Sequence, residues 1–164
     1  LPNFFQIHNI LEREFRKARR FGLPLSVLVI DLDFVREQDG GIEVGNQVLA
    51  HVGKLLGEIL AREETYLGRY GSDEFLVVLP NVPHDEALEV VPFFSQTIRR
   101  SPLRAENTAI LIQARIGIAA LMEEMKRPQE LLDAAYSDLC RLKLQDSSPA
   151  APRHFSAKED SREA

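Results

Sequence analysis

Residues 66–79 read Tyr66-Leu67-Gly68-Arg69-Tyr70-Gly71-Ser72-Asp73-Glu74-Phe75-Leu76-Val77-Val78-Leu79. Two runs of β-formers flank a short polar turn with a glycine, which is the pattern of a β-hairpin. Pro80 and Pro83 close it. Upstream, Leu25-Ser26-Val27-Leu28-Val29-Ile30 is apolar and β-branched, so it predicts a buried strand. That strand runs into Asp31-Leu32-Asp33. A hairpin beside a buried strand needs helices packed on the sheet they form.

The remaining segments supply those helices. Residues 5–21 place Phe5, Ile7, Leu11, Phe15 and Ala18 near one helical face, with Gly22 as the stop. The other face carries Arg13, Arg16, Lys17, Arg19 and Arg20, a charge run read as a solvated surface. After Asp39-Gly40-Gly41, residues 43–60 form a second amphipathic helix through Val44, Val48, Val52, Leu55, Leu56 and Ile59. Residues 85–100 predict a third helix, which Pro92 should kink or split by removing an N–H donor. Residues 109–119 predict one further strand, and Pro128 opens a last helix through Leu131, Leu132, Ala135, Leu139 and Leu142. The expected fold is an α+β sandwich, a central antiparallel-rich sheet flanked by helices. The expected division is a domain over residues 1–145 and a flexible tail over residues 146–164, rich in Ser, Pro and mixed charge.

Composition narrows the function. The chain has 164 residues, with 45% hydrophobic and 27% charged, enough for one core. A net charge of −5 argues against a nucleic-acid binder. A single cysteine, Cys140, excludes an internal disulfide, and four scattered histidines do not suggest a His-based metal site. No apolar run reaches the roughly 20 residues of a membrane span, so a cytoplasmic chain is expected.

Two places combine acids with strong backbone context. Asp31 ends a buried strand, and Asp73 and Glu74 sit at a hairpin tip. If the hairpin pairs beside that strand, Asp31 and Asp73 converge, and converging carboxylates repel unless a cation lies between them. Hard oxygen ligands favour Mg²⁺, which proteins commonly hold with one or two carboxylates beside substrate phosphates. The same residues also fit ordinary turn and cap chemistry, and spacing alone does not choose between the two.

The stretch Arg69-Tyr70-Gly71-Ser72-Asp73-Glu74-Phe75 resembles the signature of the GGDEF family, the diguanylate cyclase domains of bacterial cyclic di-GMP signalling. Other pieces agree in order. Leu1-Pro2-Asn3 resembles the family's opening L-x-N, and residues 16–25 resemble its R-x-x-R-x-G-x-P-L. Asp31-Leu32-Asp33 matches D-x-D, and Gly41, Gly45 and Leu49 fit G-H-x-x-G-D-x-x-L. Ile116-Gly117-Ile118-Ala119 resembles S-I-G-I-A, and the helix ending at Lys143 resembles A-D-x-A-L-Y-x-A-K.

The resemblance implies a nucleotidyl-cyclase palm, a ferredoxin-like sandwich that binds Mg²⁺ and GTP. In the family two domains face each other, and each 3′-hydroxyl attacks the partner's α-phosphate. By carry-over, Asp31 and Asp73 are metal ligands, and Glu74 assists the metal or the attacking hydroxyl. Gly71 and Ser72 are the glycine pair that approaches the triphosphate, and Lys143 meets a phosphate. Arg36 falls at a catalytic lysine and Asp39 at a guanine-reading asparagine on an ungapped count from Asp31. A gap placed earlier sets Phe34 at the family's phenylalanine instead, and both alignments stand.

Departures from the family pattern point to impairment. Ser72 replaces a glycine, adding bulk and a φ restriction. Asn46 replaces the aspartate that reads guanine, and an amide offers guanine N1–H and N2–H one acceptor and a mismatched donor. The G-R-N after the lysine is absent. Arg62-Glu63-Glu64-Thr65 stands where the family's inhibitory R-x-x-D lies, so Arg62 is a remnant without its aspartate. The expected function is a degenerate, regulatory, nucleotide-sensing or dimerisation module. It would bind GTP or another purine nucleotide weakly, form a homodimer or a heterodimer with another GGDEF domain, and answer to an upstream sensor domain. The alternatives are an active cyclase with relaxed purine choice and a scaffold that binds no nucleotide.

Overall fold

The computed structural model describes residues 1–34, 41–61, 64–105 and 108–146. The first helix, α1 (Phe4–Phe21), starts at Asn3, whose side chain accepts from the Gln6 N–H while the Gln6 side chain accepts from the Asn3 N–H. This reciprocal capping box satisfies two otherwise orphaned donors. Asn3→Ala is expected to destabilise the chain by about 1 kcal/mol, read as a lower midpoint in urea unfolding. The helix ends where Gly22 turns left-handed at φ 65°, a conformation that a Cβ disfavours.

The strands and helices follow in the order β1 (Leu25–Phe34), α2 (Gly41–Leu60), β2 (Tyr66–Arg69), β3 (Glu74–Pro80), α3 (His84–Arg99), β4 (Leu103–Ala105), β5 (Thr108–Ile110), β6 (Ile112–Ala120) and α4 (Pro128–Asp146). Four strands form one sheet in the order β2-β3-β1-β6, every neighbour antiparallel. Because side chains alternate along β1, its residues divide between two cores. Leu25, Val27 and Val29 pack with Ile7, Leu11 and Phe15 of α1 and Leu131, Leu132, Ala135 and Leu139 of α4. Leu28, Ile30, Leu32 and Phe34 pack with Val48, Val52 and Leu56 of α2 and Phe94 and Ile98 of α3. Burial on both faces is why β1 is apolar without alternation.

The structure corrects four expectations. β1 continues past Ile30 to Phe34, so Asp31 lies within a central strand and not at its end. The helix over residues 85–100 is not split: α3 passes through Pro92 unbroken. Pro92 and Leu88, one turn earlier, are both exposed, so the carbonyl that loses its donor lies on the side where water can replace it. The single strand over residues 109–119 is two strands interrupted at Leu111, with β5 pairing β4 in a separate two-stranded sheet. Three-residue strands fall below the window in which alternation can be read. Phe5, assigned to the apolar face of α1, is 74% exposed, while Glu14 is buried beside Phe15.

One helix-to-sheet contact matters for the site. A Cβ on Gly117 would collide with the Ala135 carbonyl oxygen and lie 2.8 Å from the Leu139 Cβ and backbone nitrogen. The missing side chain lets α4 lie directly on β6. Asp138 of α4 then reaches the strand, its Oδ2 accepting from the Ile118 N–H at 2.9 Å. As β6 is an edge strand of the sheet, this bond occupies a donor that would otherwise face outward. No helix among the described residues is long and apolar enough to cross a membrane. The proposed tail beyond Asp146 lies outside the described residues.

Candidate functional site

The antiparallel register of the central strands assembles the acids. Asp31 of β1 stands opposite Glu74 of β3 on one side and Arg115 of β6 on the other. Directly opposed residues share a face, so all three side chains project to the face covered by α1 and α4. Asp73 precedes β3 in the turn, and its carbonyl accepts from the Leu32 N–H at 3.0 Å, bringing its main chain beside the residue that follows Asp31. The hairpin brings the signature turn to β1, as the sequence reading required.

The turn itself is tied down from α1. The Tyr70 N–H donates to the Glu74 carbonyl at 3.0 Å, closing the turn, and the Arg69 N–H donates to the Pro2 carbonyl at 3.0 Å. The Tyr70 ring stacks on Phe4 with centroids 4.6 Å apart, and its hydroxyl lies 3.3 Å from His8 Nδ1. Neither Gly71 nor Ser72 has a positive φ. Ser72 is exposed, so its replacement of glycine imposes no backbone strain and leaves only added bulk.

Each of two acids meets a partner from α4. Lys143 Nζ lies 2.9 Å from Asp31 Oδ2, with the Asp31 side chain 17% exposed and Lys143 46% exposed. The Tyr136 hydroxyl donates to Glu74 Oε2 at 2.6 Å. Burial pushes the Tyr136 phenol well above its ordinary range, helped by its bond to Glu74 and by the negative charge of Glu74 and Asp31. Burial likewise raises Tyr70, with Glu74 and Asp133 adding to it. Both phenols therefore remain neutral donors at physiological pH. Arg115 Nη1 stands 3.7 Å from Asp33 Oδ2.

The residues expected at the site are not all brought together. Asp31, Gly71, Ser72, Asp73, Glu74 and Lys143 gather at one end of the sheet. Asn46 is exposed on α2, the helix on the opposite face. Arg36, Asp39 and Arg62 lie outside the described residues. Thr65, where the inhibitory motif has aspartate, donates its hydroxyl to the Leu60 carbonyl at the end of α2, 3.4 Å away. Sequence reasoning missed Tyr136, although a signal existed. Tyr136 and Lys143 are seven residues apart, two helical turns, and so lie along one stripe of α4.

The donor set suits a small hard cation. Asp31 and Asp73 offer carboxylate oxygens, and Asp31 already draws an ammonium to 2.9 Å. Among the described residues, no group of three or more His, Cys, Asp or Glu side chains is placed to hold a metal ion. Mg²⁺ is commonly held by one or two carboxylates with water or phosphate oxygens in its other positions, so such a site does not need a larger acid group.

Comparison with known proteins gives a consistent picture. The family profile described as "Diguanylate cyclase, GGDEF domain" matches residues 1–148. Diguanylate cyclase DosC of Escherichia coli is 34% identical over 113 residues, an alignment covering 67% of this chain and 24% of DosC. This chain spans about a quarter of the length of such curated relatives. The crystal structure of diguanylate cyclase SiaD with its activator SiaC, from Pseudomonas aeruginosa, superposes with a TM-score of 0.80. At 24% identity, over 88% of this chain and 55% of that one, it shares the fold. The GGDEF domain of YfiN from Pseudomonas aeruginosa matches at 28% identity and a TM-score of 0.66, over 88% of this chain and 91% of that one.

Proposed function

This chain belongs to the diguanylate cyclase GGDEF-domain family of cyclic di-GMP signalling, and from that premise we propose that it is a catalytically impaired, nucleotide-sensing member. It binds a purine nucleoside triphosphate weakly with Mg²⁺ and regulates a partner, either a second copy or another GGDEF domain. The observation that carries this reading is the engagement of Asp31 by Lys143 at 2.9 Å and of Glu74 by Tyr136 at 2.6 Å. A nucleotide with its cation must displace the lysine from Asp31 before it can be held. Asp31 and Asp73 are the residues that would hold Mg²⁺, and the ion would neutralise triphosphate charge there.

Base choice is weakened for a separate reason. Asn46 stands exposed on α2, apart from the acids, and its one amide offers a single acceptor to two guanine donors, a mismatch of about 1–3 kcal/mol wherever a base would be enclosed against it. Losses of that size at the base reader, the phosphate contacts and the glycine approach multiply, and together they remove many orders of magnitude in rate.

Calorimetric titration with GTP and with ATP in Mg²⁺, followed by chromatography of the reaction mixture, tests the proposal. Millimolar-range binding is expected, with GTP and ATP within about tenfold of each other, a difference of ~1.4 kcal/mol. Cyclic di-GMP should be absent or present in traces. Ready turnover would establish an active cyclase, a reading that the retention of Asp31, Asp73 and Glu74 in the signature favours. No heat from either nucleotide would leave a protein-contact role as the better account.

A further inference from the structure

Glu74 is held on two sides. Its Oε2 accepts from Tyr136 at 2.6 Å, and the same oxygen lies 3.5 Å from where a Cβ on Gly71 would stand. The carboxylate thus folds back over the turn toward α4. A hydroxyl-to-carboxylate bond of this length belongs to the strong, charge-assisted class. It occupies a lone pair and withdraws charge from the oxygen that a cation would otherwise share.

Counted back from Lys143, the aspartate of A-D-x-A-L-Y-x-A-K falls on Tyr136. An aspartate there would present a negative charge to Glu74 and repel it from α4. A neutral phenol at the same position attracts it. Burial keeps that phenol protonated, so the donor persists across the physiological pH range.

We propose that Tyr136 is a positioning residue that holds Glu74 against α4 and so keeps it out of the coordination of the cation bound by Asp31 and Asp73. Cation affinity is lower as a result. The inference rests on the reading of Asp31 and Asp73 as the cation pair.

Titration of the full chain with Mn²⁺ alone, without nucleotide, tests it in wild type, Tyr136→Phe, Glu74→Gln and the double variant. Phenylalanine keeps the ring and removes only the hydroxyl. Glu74→Gln in the wild-type background should weaken Mn²⁺ binding only a few-fold, the loss of a neighbouring negative charge and not of a ligand. Tyr136→Phe should tighten Mn²⁺ binding by about tenfold, the scale of a hydrogen bond to a charged group. Adding Glu74→Gln to Tyr136→Phe should cancel that gain, a coupling that general loosening of α4 would not produce. In wild type, saturating Mn²⁺ should leave the near-ultraviolet tyrosine band unshifted.

Two results would overturn the proposal while leaving the cation pair in place: a tenfold loss from Glu74→Gln alone, or unchanged or weaker binding by Tyr136→Phe. Should Tyr136→Phe fail to fold, the Glu74→Gln titration still decides. Absence of Mn²⁺ binding in every variant would instead remove the cation pair, and the proposal with it.

Discussion

Gly117→Ala lowers the thermal midpoint of this chain by roughly 6–12 °C, corresponding to about 3 kcal/mol of overpacking in a domain of this size. The added methyl meets the Ala135 carbonyl oxygen and the Leu139 backbone nitrogen, and backbone atoms have no alternative rotamer. Relief comes only from lifting α4 off β6. That movement would weaken the bond between the Ile118 N–H and Asp138, now 2.9 Å. It would also disturb both contacts that α4 makes with the acids, because Tyr136 and Lys143 ride on the same helix. Gly57→Ala is the matching control. Its Cβ would meet nothing within 4 Å on α2, so the same change should be neutral or stabilising by up to ~1 kcal/mol. Differential scanning calorimetry of the two variants checks the contrast. Equal midpoints would mean that α4 does not rest on Gly117 in solution.

Asp73→Ala is expected to abolish Mg²⁺-dependent nucleotide binding, a loss on the order of a hundredfold or more. On the proposed reading a cation would then keep only Asp31 as an anionic ligand, and Asp31 still has Lys143 as a competing partner 2.9 Å away. The turn should survive the substitution. Its link to β1 runs through the Asp73 carbonyl and the Leu32 N–H, both main-chain groups. Calorimetry with Mg²⁺ and either GTP or ATP reads the loss, and a thermal midpoint measured in parallel separates it from unfolding. Undiminished binding by the variant would place the ligand elsewhere on the molecule.

Much of this architecture could be read from the chain because its signals are local. Gly22 ends α1 through its own φ, and the turn over residues 71–73 follows from its flanking β-formers. Residues 25–30 announce a buried strand by being apolar apart from Ser26. The Asp31-Leu32-Asp33 and Ser72-Asp73-Glu74 pieces marked the acids for the same reason: each sits within a few residues of a recognisable strand or turn. Pro92 misled because its local penalty is real, yet its cost depends on whether the lost bond faces water, which is a property of packing.

What the chain determined by itself is therefore the four helices, the central strand and the hairpin, their order and the identity of the acids, but not the small β4–β5 sheet. Only the tertiary structure decided what each acid touches. Asp31 meets Glu74 and Arg115 through strand register, and register depends on residues more than forty positions apart. Lys143 turned out to neutralise Asp31, and Tyr136 to hold Glu74, because Gly117 admits α4 to the sheet at backbone distance. No periodicity along α4 encodes that approach, since the space it uses belongs to β6. Distances of 2.6 and 2.9 Å between side chains arise where two elements share a surface, and that surface exists only once the chain has folded.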